Sequence, residues 1–149
     1  MYTPSLFFIS LNAFALSVWA FAFWRGSGAE RWAAAVVSGN QIAFLVFAYV
    51  VEWTGVAQTN LFAQLFLDGA TAIALLLILL RFGRPWLGLI MLLYAAQFAL
   101  QSVYLVGQIK KNNWHVHINN LNFIAIHITL AVGTAQHWLR LRRAKLAAK

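Results

Sequence analysis

The sequence contains no cysteine, which excludes disulfides, thiolate metal sites and cysteine nucleophiles. Acidic side chains are nearly as scarce. Glu30, Glu52 and Asp68 are the only three, against eleven Lys and Arg. Paired-carboxylate chemistry therefore has little to draw on. A phosphate-cradling glycine loop is absent, and so is any nucleophile–base–orienter set. These absences together leave an enzyme little to stand on.

What is present is apolar. Hydrophobic residues make up 62% of the 149 positions, where soluble domains hold roughly 45–50%. Such a chain cannot cover its apolar surface with water-facing side chains, so it needs lipid as solvent. A spanning helix takes about 20 mostly apolar residues, because ~30 Å of hydrocarbon is crossed at ~1.5 Å per residue. Five stretches qualify, at about 5–24, 32–53, 60–80, 86–108 and 120–138. The connections are short: "RGSGAER", "TGVAQT", "RFGRP" and "IKKNNWHVHIN". Neither a linker nor a second domain nor an internal repeat interrupts them. The leading "MYTPS" carries no positive charge, unlike a secretory n-region, so the first stretch is expected to stay as a helix. Trp24, Trp32, Trp53, Trp86, Trp114 and Trp138 fall near span ends or in a connection, the headgroup level that amphipathic rings prefer.

The net charge of +8 is not spread evenly. With five spans, one side receives Arg25, Arg31, Arg81, Arg84 and the tail residues Arg140, Arg142, Arg143, Lys145 and Lys149. The other side receives only Lys110 and Lys111. Cytoplasmic loops are the basic ones. The expected fold is thus an all-α integral membrane protein: a single bundle of five transmembrane helices, N-terminus out, C-terminus cytoplasmic. A bacterial inner (cytoplasmic) membrane suits that arrangement. Because the positive charge marks span ends rather than one continuous face, nucleic acid is not an expected partner. Arg140, Arg142, Arg143 and Lys145 are expected to anchor the tail 139–149 to the membrane surface, at about 1 kcal/mol each near an anionic leaflet.

Polar side chains at membrane depth are costly and mark sites or interhelical contacts. Asp68 is the one acid well inside a span. Counting turns inward from the outer ends places Asp68, His127, Asn12 and Gln101 in one layer, with Gln64 one turn above Asp68. Tyr94, Gln97, Gln101, Tyr104 and Gln108 share a face of the fourth span through their i, i+3, i+4, i+7 spacing. That stripe must point inward or at a partner. On the fifth span Asn120, Phe123, His127, Thr134 and His137 form a similar face. Two readings follow. Asp68 and His127, with Gln97, Gln101, Asn12 and Gln64, form a ligand or proton site; or the same groups are glue between helices. Asn40 and Gln41 count out deeper, away from this layer.

Three of four histidines crowd into "WHVHINNLNFIAIH". In an extended loop, His115 and His117 would lie on one side. Two ligands fall short of the three or four that zinc takes, so no metal is expected and this pair is only a fragment of a site. Haem between helices wants axial ligands at one level on facing helices. Every histidine here belongs to the fourth connection and fifth span, and Met91 sits at another depth, so haem would need a partner chain. No cofactor is expected.

Five spans and seven tryptophans in 149 residues resemble, in architecture, the tryptophan-rich sensory protein (translocator) family. That family's Gly-Pro-x-Trp-type motif is absent, Pro4 and Pro85 being the only prolines, so no site is carried over from it. The leading functional expectation is a non-enzymatic membrane subunit that acts through helix–helix contacts with itself or another membrane protein. Second comes a protein that binds or transports a small molecule, lipid or proton through a polar site in the outer half. A haem- or metal-dependent membrane enzyme is third.

Overall fold

A computed structural model describes residues 6–54, 59–107 and 113–148. They form five helices: α1 (Leu6–Arg25), α2 (Gly28–Thr54), α3 (Thr59–Phe82), α4 (Pro85–Val106) and α5 (Asn113–Ala147). All five are long and apolar enough to cross a membrane. The first four agree with the expected spans to within a few residues.

The turns between helices follow from local sequence. Glu30, in the first turn of α2, reaches back to accept the Ser27 backbone N–H at 2.8 Å and also accepts the Ser27 hydroxyl. This is the carboxylate half of a capping box, read from "SGAE". It explains how Glu30 can be only 1% exposed: its charge is met by the Ser27 N–H and hydroxyl at a helix N-terminus. Between α3 and α4, Gly83 takes φ 61°, a left-handed value that suits glycine, and its N–H caps Leu79. Pro85 then opens α4 at the position where its missing N–H costs nothing.

Each helix packs on its neighbours in sequence, and α5 closes back onto α1. The bundle is therefore a ring of five, with an additional contact between α2 and α5 across it. Short connections dictate this order, because they leave no length for crossing over. The outer faces carry large exposed apolar side chains such as Leu16, Phe66, Leu77, Leu92 and Ile128. In water they would be a liability; in lipid they are the expected contact surface.

The two ends of the ring differ. Towards one end the interior is apolar and close-packed. Ala15 and Ala22 of α1 and Ala29, Ala33 and Ala34 of α2 are fully buried, as are Leu75, Leu87, Ile90 and Leu130. Without a hydrophobic drive between helices, small residues promote association by letting backbones approach. Ala35, the next residue along, is exposed. At the end where α1, α3 and α5 begin, the interior is polar and open.

Two expectations are corrected here. First, "WHVHINN" is not an extended loop: α5 begins at Asn113 and runs 35 residues, ~52 Å at the helical rise. Polar composition marked the end of the apolar span, not the end of the helix. Helical spacing turns His115 inward, where it is buried, and leaves His117 exposed. The two imidazoles therefore do not converge, and among the described residues no group of three or more potential metal ligands occurs. The basic tail is helical too, and its Arg140, Arg142, Arg143 and Lys145 are exposed along the last turns of α5. Second, Asn40 does not lie away from the Asp68 layer. Gly28 and Phe82 meet at one end of the bundle, where a Cβ on Gly28 would lie 3.4 Å from the Phe82 ring. Counted from there, Asn40 lies ~18 Å along α2 and Asp68 ~21 Å along α3, the same level within a turn.

Candidate functional site

A cavity of about 250 Å³ opens inside the ring, and every helix contributes to its wall. Asn12 comes from α1, Gln64 and Asp68 from α3, Gln97 and Gln101 from α4, and His127 from α5. All six residues named from the sequence as a ligand or proton site thus meet around one space. Asn40 and Gln41 of α2 join them, as do His115, Asn119 and Asn120 of α5.

Asp68 is the polar centre and is 4% exposed. Gln101 donates to its Oδ2 from Nε2 at 3.0 Å, and Asn40 donates to Oδ1 from Nδ2 at 3.5 Å. The Gln97 side chain also hydrogen-bonds the carboxylate. Helices α2, α3 and α4 are therefore joined through one carboxylate. Tyr94 is buried a turn below, with Asn40 as its hydrogen-bond partner. The stripe on α4 accordingly points inward through Tyr94, Gln97 and Gln101, while Gln108 lies outside the described residues. Tyr104, further along, packs against His115 with the rings tilted by 56° and their centres 4.4 Å apart. Asn122 of α5 ties in by donating to the Gln97 side-chain oxygen at 2.5 Å and to the Leu93 carbonyl at 3.1 Å.

His127 is 1% exposed. Its Nδ1 sits 2.8 Å from the Phe123 carbonyl oxygen, so in the neutral ring Nδ1 carries the proton and donates it. That leaves Nε2 as an acceptor, and it is buried with no hydrogen-bond partner among the described residues. Phe123, Trp19 and Phe14 surround the ring at centre distances of 4.2, 5.8 and 6.2 Å. Trp19 Nε1 is likewise buried without a partner and forms no hydrogen bond to His127. Asp68 and His127 share the cavity, but among the described residues no hydrogen bond joins them. The carboxylate is held by amides and the imidazole by its own helix. Asn12 lines the cavity while donating to the Phe8 carbonyl at 2.8 Å.

The remaining expectations fall elsewhere. Thr134 is buried and donates to its own helix at Leu130. His137 lines a second, smaller cavity of about 60 Å³ at the opposite end, with Glu30, Arg84, Gly133 and Arg140. Met91 packs against the apolar core rather than beside His127. Arg25 and Arg142 lie over the Trp138 ring at 5.9 and 5.3 Å, cation–π contacts that suit an interfacial ring. Asn40, Gln41, Asn119 and Asn122 are site residues that the sequence reading missed. The signal for Asn40 was available, had its depth been counted from the basic end of the helices.

No family model, curated protein or solved structure matches this chain. The cavity itself is what any functional reading has to rest on.

Proposed function

We propose that this chain is an integral membrane protein that holds a small molecule inside its five-helix ring. One observation carries the reading: a cavity in the bundle lined by polar side chains from all five helices, next to a buried histidine acceptor that no group among the described residues satisfies. Glue between helices would be expected to close the space and use up the polar atoms. Here about 250 Å³ is left open, more than the roughly 150 Å³ of an engineered cavity that takes up benzene. The cavity wall mixes amide and carboxylate groups with Phe8, Phe44 and Phe123, the usual composition of a small-molecule site.

In this reading the N-terminus faces out, the C-terminus lies in the cytoplasm and the cavity occupies the outer half of a bacterial inner membrane. Support comes from the sequence, in which alternation of five spans assigns nine basic residues to one side and only Lys110 and Lys111 to the other. A membrane-impermeant reagent applied to intact cells should label a tag at the N-terminus and spare one at the C-terminus. The same label at both ends would reverse or remove the assignment.

The competing proposal is a non-enzymatic subunit of a homo- or hetero-oligomeric membrane complex. It rests on the short connections. The glutamine stripe, which could have faced a partner, instead points into the cavity. Native mass spectrometry from solubilised membranes separates the two. A monomer carrying an extra small-molecule mass supports the binding protein; an empty chain held in a defined oligomer supports the subunit.

A further inference from the structure

The chemistry of the cavity is one-sided. Asp68 presents a carboxylate whose described partners are all neutral amides, so among the described residues its charge has hydrogen bonds but no countercharge. Gln101 gives its N–H to that carboxylate and leaves Oε1 buried without a partner. The orientation is fixed chemically, since turning the oxygen toward an ionised Asp68 would set two acceptors against each other. His127 gives its N–H to Phe123 and leaves Nε2 unmatched. Residues of three helices thus bring acceptors to the wall of one cavity, the Gln101 and His127 atoms lying just beneath it, and among the described residues neither lysine nor arginine lines it. A buried charge without a partner is costly, and so is a buried acceptor without a donor. Both demands are met by one kind of guest.

We propose that the occupant is a small organic ammonium: a primary or secondary amine, protonated, with an apolar or aryl tail. This rests on the binding reading above and names its ligand class. The charged N–H donors meet Asp68, Gln101 Oε1 and His127 Nε2, with small side-chain rotations at the cavity wall. The tail lies against Phe8, Phe44 and Phe123, whose rings also favour a nearby cation.

The test uses the full chain in nanodiscs and calorimetric titration with four probes of one shape: 2-phenylethylamine, its N,N,N-trimethyl derivative, 2-phenylethanol and phenylacetate. The amine is expected to bind about tenfold or more tighter than the alcohol, the scale of hydrogen bonds to a charged group. Phenylacetate should not bind. The trimethyl compound keeps the charge without N–H donors and should lose most of the affinity. Asp68→Asn should erase the preference for amine over alcohol. Trp19→Phe should leave amine affinity within about twofold, because the ligand and not the indole supplies the donor to His127. Equal binding of amine and alcohol would overturn the ammonium assignment and leave the cavity-binding reading standing. Equal binding of amine and trimethyl compound would also overturn it, since donors would then be irrelevant. Displacement of the amine by sodium but not by choline at equal ionic strength would assign the site to an inorganic cation instead. No binding of any probe, together with an empty protein in native mass spectra, would remove both readings. Should Asp68→Asn fail to fold, the probe series on the wild-type chain decides the matter alone.

Discussion

Asp68→Leu should destabilise the folded bundle by about 2–4 kcal/mol, measured by equilibrium unfolding in mixed micelles. The carboxylate accepts from Asn40, Gln97 and Gln101 on two different helices. Leucine fills a similar space and accepts nothing. Three amides are then left facing an apolar side chain where water is scarce. Hydrogen bonds between membrane helices are worth roughly 0.6–2 kcal/mol each, and the loss of a shared acceptor removes all three together. Asp68→Asn should behave differently. An amide at 68 still offers an oxygen, and the surrounding amides can turn to match it. Its cost should stay within about 1 kcal/mol. A leucine variant as stable as the asparagine variant would mean that the carboxylate holds nothing together. The comparison matters for function as well. A group that is structural in this sense can still be the site of ligand charge recognition, and the asparagine variant separates the two roles.

Helical periodicity made much of this site legible in advance. Tyr94, Gln97 and Gln101 fall on one face by spacing alone, and that face does line the cavity. Depth counting brings Asp68, Asn12, Gln101 and His127 to one layer, with Gln64 a turn above, because four short connections tie the span ends together. It failed for Asn40, which was counted from the wrong reference. α2 runs further beyond this layer than α3 does, 14 residues from Asn40 to Thr54 against nine from Thr59 to Asp68, so counting from the outer ends misplaces Asn40. The error at "WHVHINN" has a related origin. Hydropathy reports the solvent around a helix, not its backbone hydrogen bonds. A helix that leaves the hydrocarbon and continues through headgroups looks like a loop in composition. Nothing in the one-dimensional pattern could show that His127 Nε2 lacks a partner. That depends on Phe123 taking the other ring nitrogen and on aromatic rings filling the remaining space.

Trp86 is a further case where pattern and packing diverge, and it yields the second large effect. Its position near a span end suggested a ring resting at the headgroup level. The structure places the indole, half-buried, flat against the α5 backbone at Gly133. A Cβ added there would stand 2.6 Å from Trp86 Cδ2 and 2.7 Å from Cε2. Contacts that short do not occur without movement, and what must move is the base of a large ring, not a flexible tip. Gly133→Val adds two further carbons on the same line. It should lower the unfolding free energy by about 2–3 kcal/mol, the upper part of the range for overpacking. Trp86→Ala alone loses buried ring contact and should also destabilise. Combined with Gly133→Val, it removes the obstacle, so the double variant should be more stable than the sum of the single effects predicts. The coupling should reach at least ~1 kcal/mol, as for residues in direct contact. Strict additivity would show that the two side chains do not meet. Because this contact sits at the end of the ring remote from Asp68, folded Gly133→Val protein should keep its ligand affinity. Loss of affinity at unchanged fold would require the two ends of the bundle to communicate, through α4 and α5, the helices that carry both the Trp86–Gly133 contact and the Gln97–Asn122 hydrogen bond.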